Sequence, residues 1–260
     1  MNAPTVVLVV ALNCQIGFAT DRPPMSMTPP PDNIPRTDQI DSTDPTDQID
    51  QIDPSEAKAA LRKDAALARA DAAVKWPDAA DMLAGQIDMI IGHFGTGIYA
   101  AYLPIRSELS PLPLVSALAN AGIVTAMPIT PEPGFGLDFH RYAPGDPLDD
   151  GPYKTLQPRK TAPLVTPDVI LAPLLAFDEG CWRLGYGGGF YDRTIAGLRD
   201  NGHAVTIIGL AYDEQQVDSV PVGPYDMALD GVLTPSGLRR AKSSWAKSSR
   251  AKSGRAEGKL

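Results

Sequence analysis

The sequence predicts an α/β fold, a three-layer α/β/α sandwich with a mainly parallel central sheet, and three observations carry that expectation. Apolar runs recur at residues 97–105, 123–129, 169–177 and 204–212 without the polar alternation of a half-solvated strand. Helical patterns separate them, and glycines stand where those helices should stop, as at Gly122 and Gly202. Strands that are apolar on both sides need cover on both sides, which is the condition of a parallel sheet between two helical layers.

In chain order, the segment from Asp21 to Pro54 is rich in Pro, Asp, Thr and Gln and repeats DQID at Asp38–Asp41 and Asp47–Asp50. It has too little apolar surface to offset its ordering entropy, so residues 1–54 are expected to be a disordered acidic extension. Ser55 followed by EAKAALRKDAALARADAAVKW reads as an N-cap and a long helix. GIYAAYLPI is the first expected strand, PLPLVSALANAG a helix ended by Gly122, IVTAMPI the second strand and VILAPLLAF the third. FYDRTIAGLRDNG then reads as a helix and AVTIIGLAY as a strand. The folded domain is assigned to residues 55–236, and the Lys/Ser-rich residues 237–260 to a disordered basic tail.

Composition narrows the function. The 260 residues are 43% hydrophobic and 21% charged, ordinary for a chain that buries a core, and the net charge is −8. Residues 1–54 carry two basic and eight acidic side chains, and residues 237–260 carry eight basic and one acidic. The body between them is acidic, which excludes an extensive nucleic-acid face; only the tail has the charge for a polyanion. Cys14 and Cys181 form no disulfide framework and no zinc set, so a reducing, cytoplasmic setting is expected. The apolar run Val6–Leu12 lacks a basic flank and is too short to span a bilayer. His93, His140 and His203 are scattered, and no GxSxG elbow is present. Cys181 beside Trp182 reads as a packed small side chain.

The chemistry concentrates in RLGYGGGFYDR, Arg183–Arg193, where an apolar strand hands over to a helix. Gly185, Gly187, Gly188 and Gly189 let the backbone take left-handed angles and come close to a ligand. The N–H groups that open the next helix would face an anion there, favoured by the helix dipole. Arg183 and Arg193 flank the turn, and Asp192 is placed to take a magnesium ion beside phosphates. The run is neither a P-loop nor a GxGxxG fingerprint. By itself it supports phosphate binding.

Four blocks together resemble the 5-formyltetrahydrofolate cyclo-ligase family, also called the 5,10-methenyltetrahydrofolate synthetases. They are KAALR at Lys58–Arg62, YLPIRSEL at Tyr102–Leu109, LAPLLAFDEGCW running into RLGYGGGFYDR, and GLAYDEQQVDSVPVGPYDMALDGVLT at Gly209–Thr234. The similarity runs from Ser55 to Pro235. It implies an enzyme in which the formyl oxygen on N5 of 5-formyltetrahydrofolate attacks the γ-phosphate of ATP. N10 then closes the ring to 5,10-methenyltetrahydrofolate, with release of ADP and phosphate. It implies that Lys58 and Arg62 hold ATP phosphates and that Arg183, Leu184, Gly185, Tyr186, Gly187, Gly188, Gly189, Phe190 and Tyr191 wrap the nucleotide. Lys58 and Arg183 would supply the catalytic positive charge. Tyr186 to Phe190 would also border the folate, Leu103 would line its pocket, and Glu108 would hydrogen-bond the pterin ring. Asp192 and Asp226 would take Mg²⁺.

The partners implied are ATP and a folate, polyglutamylated or not, met by a monomer needing no nucleic acid and no membrane. Three positions depart from the pattern: Tyr142 where relatives often have Trp, Gly188 where some have Lys, and Tyr225 where His often stands. The acidic leader is also unlike the family. Outside the blocks, Lys58 and Arg62 would read as a solvated helix face, Glu108 as a surface carboxylate, and Asp226 and Asp230 as turn residues. Three other functions remain open at this point: a folate-binding protein without turnover, an ATP-dependent ligase acting on another small N-formyl or carboxylate compound, and a polyanion-binding role through the basic tail.

Overall fold

The computed structural model describes residues 54–152 and 155–240. The expected leader, the tail beyond Arg240 and Cys14 lie outside the described residues. The long helix α1 spans Pro54–Lys75, opening one residue before the expected Ser55 cap. Proline suits a first helical position because its missing N–H would have no intrahelical partner there. Short helices α2 (Ala79–Ala84) and α3 (Ile87–Phe94) follow, in a stretch whose pattern assigned no element. Then come β1 (Tyr99–Ala100), α4 (Leu112–Asn120) and β2 (Thr125–Ile129). Strands β3 (Asp138–Arg141), β4 (Leu148–Asp150), β5 (Leu156–Pro158) and β6 (Leu164–Val165) cover the next connection. The last part holds β7 (Val169–Pro173), β8 (Ala176–Phe177), β9 (Arg183–Leu184), α5 (Phe190–Asp200), β10 (Thr206–Leu210), β11 (Gly231–Thr234) and β12 (Gly237–Arg240).

The main sheet has the order β12-β11-β10-β7-β1-β2-β3-β6. Its five central strands, β11 to β2, run parallel, and antiparallel strands close both edges. Alternate residues face opposite layers, as the pleat requires. Tyr99, Val169, Leu171, Ile208 and Leu210 pack with Ala72, Leu83, Ile90 and Leu118 from α1 to α4. Ala100, Ile170, Ala172 and Ile207 face the other way, onto Ile195 of α5. This is the mainly parallel three-layer arrangement that the apolar strands implied. No helix among the described residues is long and apolar enough to cross a membrane.

Two strands are shorter than their apolar runs, for reasons that matter to the site. The run 97–105 pairs as strand only at Tyr99–Ala100. Pro104 offers no N–H, and the N–H of Ile105 goes to Glu108 Oε2 at 2.9 Å instead of to a neighbouring strand. Arg106 then turns at a φ of 53°, an uncommon angle for a residue with a Cβ. The run 169–177 breaks after Pro173, where the side-chain amide of Gln215 donates to both the Leu174 and Leu175 carbonyls at 2.9 Å. The chain leaves the sheet there and forms the β8–β9 hairpin.

The C-terminal boundary at residue 236 is corrected. Gly237–Arg240, assigned to the tail, is strand β12, paired in full with β11. Asp213 holds this edge: it accepts bonds from Thr234 (2.7 Å), Ser236 (2.9 Å from the hydroxyl) and Arg239 (2.8 Å). Partial burial opposes its ionisation, but the bonds from Arg239, Thr234 and Ser236 outweigh this and hold its carboxyl below the usual value. A depressed folded-state value means stability that is present above the ordinary carboxylate range and lost as pH falls through the depressed value. Asp213→Ala is therefore expected to cost about 1–3 kcal/mol in chemical denaturation at neutral pH, with a smaller difference from the parent in strong acid.

Candidate active site

The β8–β9 hairpin carries the glycine-rich turn to the end of the parallel strands, where open α/β sheets place ligands. Asp178 shapes the hairpin: its Oδ1 accepts from the N–H groups of Gly180 (2.9 Å) and Trp182 (3.1 Å), and its Oδ2 from Val220 (3.0 Å). Cys181 lies in this bend, buried, with a φ of 59°. Burial, aided by the charges of Asp178 and Asp230, pushes its thiol up to about 11, so it is a packed, protonated side chain.

After Leu184 the turn uses two left-handed glycines, Gly187 at φ 97° and Gly189 at φ 64°. Gly189 is the N-cap of α5, and no side chain caps that end, so the first N–H groups of the helix remain for a ligand. A methyl group on Gly189 would lie 2.6 Å from Arg193 Nη1. Gly189→Ala is thus expected to lower stability by about 1–2 kcal/mol, which melting curves measure.

A cavity of about 290 Å³ opens over this turn, near the lower end for ligand sites of roughly 300–1,000 Å³. Its walls include Lys58, Arg62, every residue from Arg183 to Asp192, and Asp226. Residues more than a hundred positions apart in the chain thus meet around one space. Lys58 donates to Asp226, whose Oδ2 also accepts the Gly223 N–H at 2.6 Å. Partial burial opposes ionisation of Asp226, but the Gly223 and Lys58 bonds and the charge of Arg183 hold its carboxyl below its usual value. Arg62 Nε donates to the Gly185 carbonyl at 3.0 Å and ties α1 to the turn. Arg183 donates to Asp192 Oδ1 at 2.7 Å and to the Met227 carbonyl at 3.0 Å. It fastens the turn to the segment that carries Asp226.

Arg193 does not meet the expectation of a phosphate-facing side chain. Its Nε donates to the Phe135 carbonyl at 3.1 Å and its Nη2 to the Gly188 carbonyl at 2.6 Å, and it is absent from the cavity wall. At one residue past Asp192 on α5 it points to a different side of the helix. Gly188 has its own constraint: a Cβ there would stand 2.9 Å from the Phe190 ring, so a lysine at this position requires that ring to move. Tyr142 is a buried core residue, whereas Tyr225 is 87% exposed.

Glu108 and Leu103 lie outside the cavity wall. Leu103 is partly buried against the α1–α4 side of the core. Glu108 is buried, with Oε1 3.8 Å from Arg69 Nη1. Burial raises its carboxyl, opposed by the Ile105 N–H and by the charges of Arg69 and Arg106. Arg69, which sequence reasoning passed over, donates to the Tyr186 hydroxyl, and its guanidinium lies 5.4 Å from the centre of the Tyr186 ring. It links Glu108 to the glycine-rich turn. A signal for it existed, since spacings of four and seven residues put Lys58, Arg62 and Arg69 on one face of α1.

His93, His140 and His203 are each within hydrogen-bond distance of a backbone carbonyl in separate parts of the fold. Asp230 accepts the Ile207 N–H at 2.8 Å and pairs with Arg199, so its partners are distant in the chain and are not those of a local turn.

Comparison with known proteins shows the family. The sequence model of the 5-formyltetrahydrofolate cyclo-ligase family matches residues 54–235. The 5-formyltetrahydrofolate cyclo-ligase of Escherichia coli K12 is 37% identical over 142 residues, covering 53% of this chain and 77% of that protein. The enzyme of the same name from Mycolicibacterium smegmatis is 33% identical, covering 52% and 72%. In fold, the chain resembles the 5,10-methenyltetrahydrofolate synthetase of Aquifex aeolicus, with a TM-score of 0.60 at 22% identity over 72% of this chain and 93% of that one. The synthetase of Mycoplasma pneumoniae gives 0.55 at 21% identity over 68% and 98%. By the extent of the sequence match, and with the glycine-rich turn, Lys58, Arg62 and Asp226 gathered on one cavity, this chain belongs to the 5-formyltetrahydrofolate cyclo-ligase family.

Proposed function

We propose that the protein is an enzyme that cyclises 5-formyltetrahydrofolate to 5,10-methenyltetrahydrofolate, using ATP and Mg²⁺ and releasing ADP and phosphate. The observation that carries this reading is the cavity: two α1 cations, the uncapped start of α5 and two aspartates surround one space. Phosphoryl transfer asks a protein mainly for positioning and for neutralisation of charge. Lys58 and Arg62 face the phosphates from α1, and the α5 N–H groups face them from the turn. Arg183 keeps Asp192 and the Met227 segment in register and adds positive charge behind them.

Asp192 and Asp226 fit a magnesium ion. Both are hard oxygen donors on the wall of the cavity, and their hydrogen bonds use Oδ1 of Asp192 and Oδ2 of Asp226, leaving an oxygen on each for the metal. A pair of carboxylates completed by phosphate oxygens and water is the usual magnesium arrangement. When bound, the ion neutralises charge on the phosphate oxygens. On the other side of the turn, Glu108 accepts hydrogen bonds from the aminopyrimidine edge of the pterin and fixes its orientation, so that the formyl oxygen faces the γ-phosphate. No side-chain nucleophile takes part.

The test is direct. With 5-formyltetrahydrofolate, ATP and Mg²⁺, the near-ultraviolet absorbance of the methenyl product should rise, and it should not rise when ATP is omitted. Absence of the product with all three present overturns the reading, and folate binding without ADP release would assign the chain to binding alone.

A further inference from the structure

One buried donor is not used by the proposed reaction. Arg69 is 2% exposed, and its Nη1 is the one buried side-chain nitrogen or oxygen among the described residues that has no hydrogen-bond partner. The rest of its guanidinium is committed: Nε donates to Ser107 Oγ at 3.2 Å and Nη2 to the Tyr186 hydroxyl. Nη1 lies 3.8 Å from Glu108 Oε1, too far for a hydrogen bond. Glu108 spends its other oxygen on the Ile105 N–H. A positively charged donor and a carboxylate acceptor therefore stand side by side, and neither satisfies the other. Leaving a buried donor of this kind unpaired is costly, and native proteins rarely do so without a reason.

The pair matches one kind of ligand edge. A 2-amino-4-oxo pyrimidine ring presents a carbonyl acceptor next to an N–H donor and an amino donor. A carboxylate can accept from the two donors, and the adjoining acceptor then needs a donor beside the carboxylate. Resting on the proposed role of Glu108, we infer that Arg69 is a specificity-determining residue whose Nη1 donates to the ring carbonyl of the pterin. Tyr186, on the cavity wall, contacts the Arg69 guanidinium through its hydroxyl and its ring. It sits in the glycine-rich turn, next to Gly187 at φ 97°, and is 43% exposed. Folate entry therefore displaces the Tyr186 ring from the guanidinium, and substrate binding and turn position are coupled through Arg69.

The experiment compares 5-formyltetrahydrofolate with its 4-amino analogue, which has a donor where the carbonyl stood and a bare ring nitrogen where the N3–H faced Glu108, so that the Arg69 share of the discrimination is the part that Arg69→Met removes. The wild-type protein is expected to favour the 4-oxo compound by at least about tenfold in kcat/KM, the scale of a hydrogen bond to a charged group. Arg69→Met should raise the KM for the 4-oxo substrate by a similar factor, leave the KM for ATP within about twofold, and reduce the preference between the two folates to the part set by Glu108. Arg69→Lys, which keeps a buried cation, should restore part of the preference. Equal use of both folates by the wild type overturns the inference without any variant. An Arg69→Met protein that melts cooperatively and keeps the full preference overturns it too. Failure of the wild type to turn over 5-formyltetrahydrofolate defeats the proposed function itself, a result distinct from normal turnover without discrimination.

Discussion

Glu108→Ala is expected to lower kcat/KM for 5-formyltetrahydrofolate by at least about 10³-fold while leaving ATP binding nearly intact. A site built to hydrogen-bond a ring edge loses far more than one contact when its acceptor goes, because the remaining polar groups are left unpaired. The separation of the two effects follows from position: Glu108 lies outside the cavity wall and reaches the glycine-rich turn only through Arg69. The variant should also be less stable, by about 3–5 kcal/mol, since Arg69 would remain as a buried and uncompensated charge. Glu108→Gln separates recognition from folding, because it keeps the volume and an acceptor for the Ile105 N–H. The pH dependence has a definite sign. Burial raises the Glu108 carboxyl in the folded state, so this group contributes a loss of stability as pH rises from its ordinary value through the raised one. Glu108→Gln should remove that component from a plot of melting temperature against pH. Full folate turnover by a folded Glu108→Ala protein would sink the assignment.

Asp192→Ala should abolish most activity for two reasons that can be told apart. Its carboxylate is a proposed magnesium ligand, and it also receives Arg183 at 2.7 Å and the Met227 N–H at 3.3 Å. Loss of the first role should lower kcat by about 10²–10³-fold, the scale for removing one charge-stabilising group from a transition state. Loss of the second leaves Arg183, whose side chain is 6% exposed, without its carboxylate and should cost on the order of 2 kcal/mol in stability. Asp192→Asn keeps an acceptor for Arg183 and should recover much of the stability but little of the activity. Its remaining activity should need a higher Mg²⁺ concentration than the parent. An unchanged Mg²⁺ dependence in a folded Asp192→Asn protein would remove Asp192 from the metal site.

Local chemistry made much of this protein legible in advance. The apolar runs implied a covered parallel sheet, and the sheet forms, because a strand apolar on both faces has few other ways to leave water. The α5 helix and its glycine turn were visible because glycine, the helix dipole and the neighbouring charges act within one short run of chain. The family blocks carried Lys58, Arg62 and Asp226, which local chemistry alone would have left as surface residues. The structure brings all three to the same cavity.

What the chain pattern could not set were the outcomes of competition between distant groups. The apolar run that begins with β1 ends in a turn and not in further strand, with Glu108 taking the N–H of Ile105. Two leucine carbonyls bend the chain out of the sheet after Pro173 because Gln215 reaches them from forty residues away. Residues 237–240 join the sheet because Asp213 ties Arg239 and Ser236 to the preceding strand, although their composition is that of a solvated tail. Arg193 turns away from the cavity because two backbone carbonyls lie within its reach. Arg69 shows the same division: the sequence placed it on the α1 face shared with Lys58 and Arg62, and only packing decided that it would be buried beside Glu108 with one donor unspent. Periodicity and composition act through neighbours along the chain. Burial and hydrogen bonding between distant segments exist only once the tertiary structure has formed.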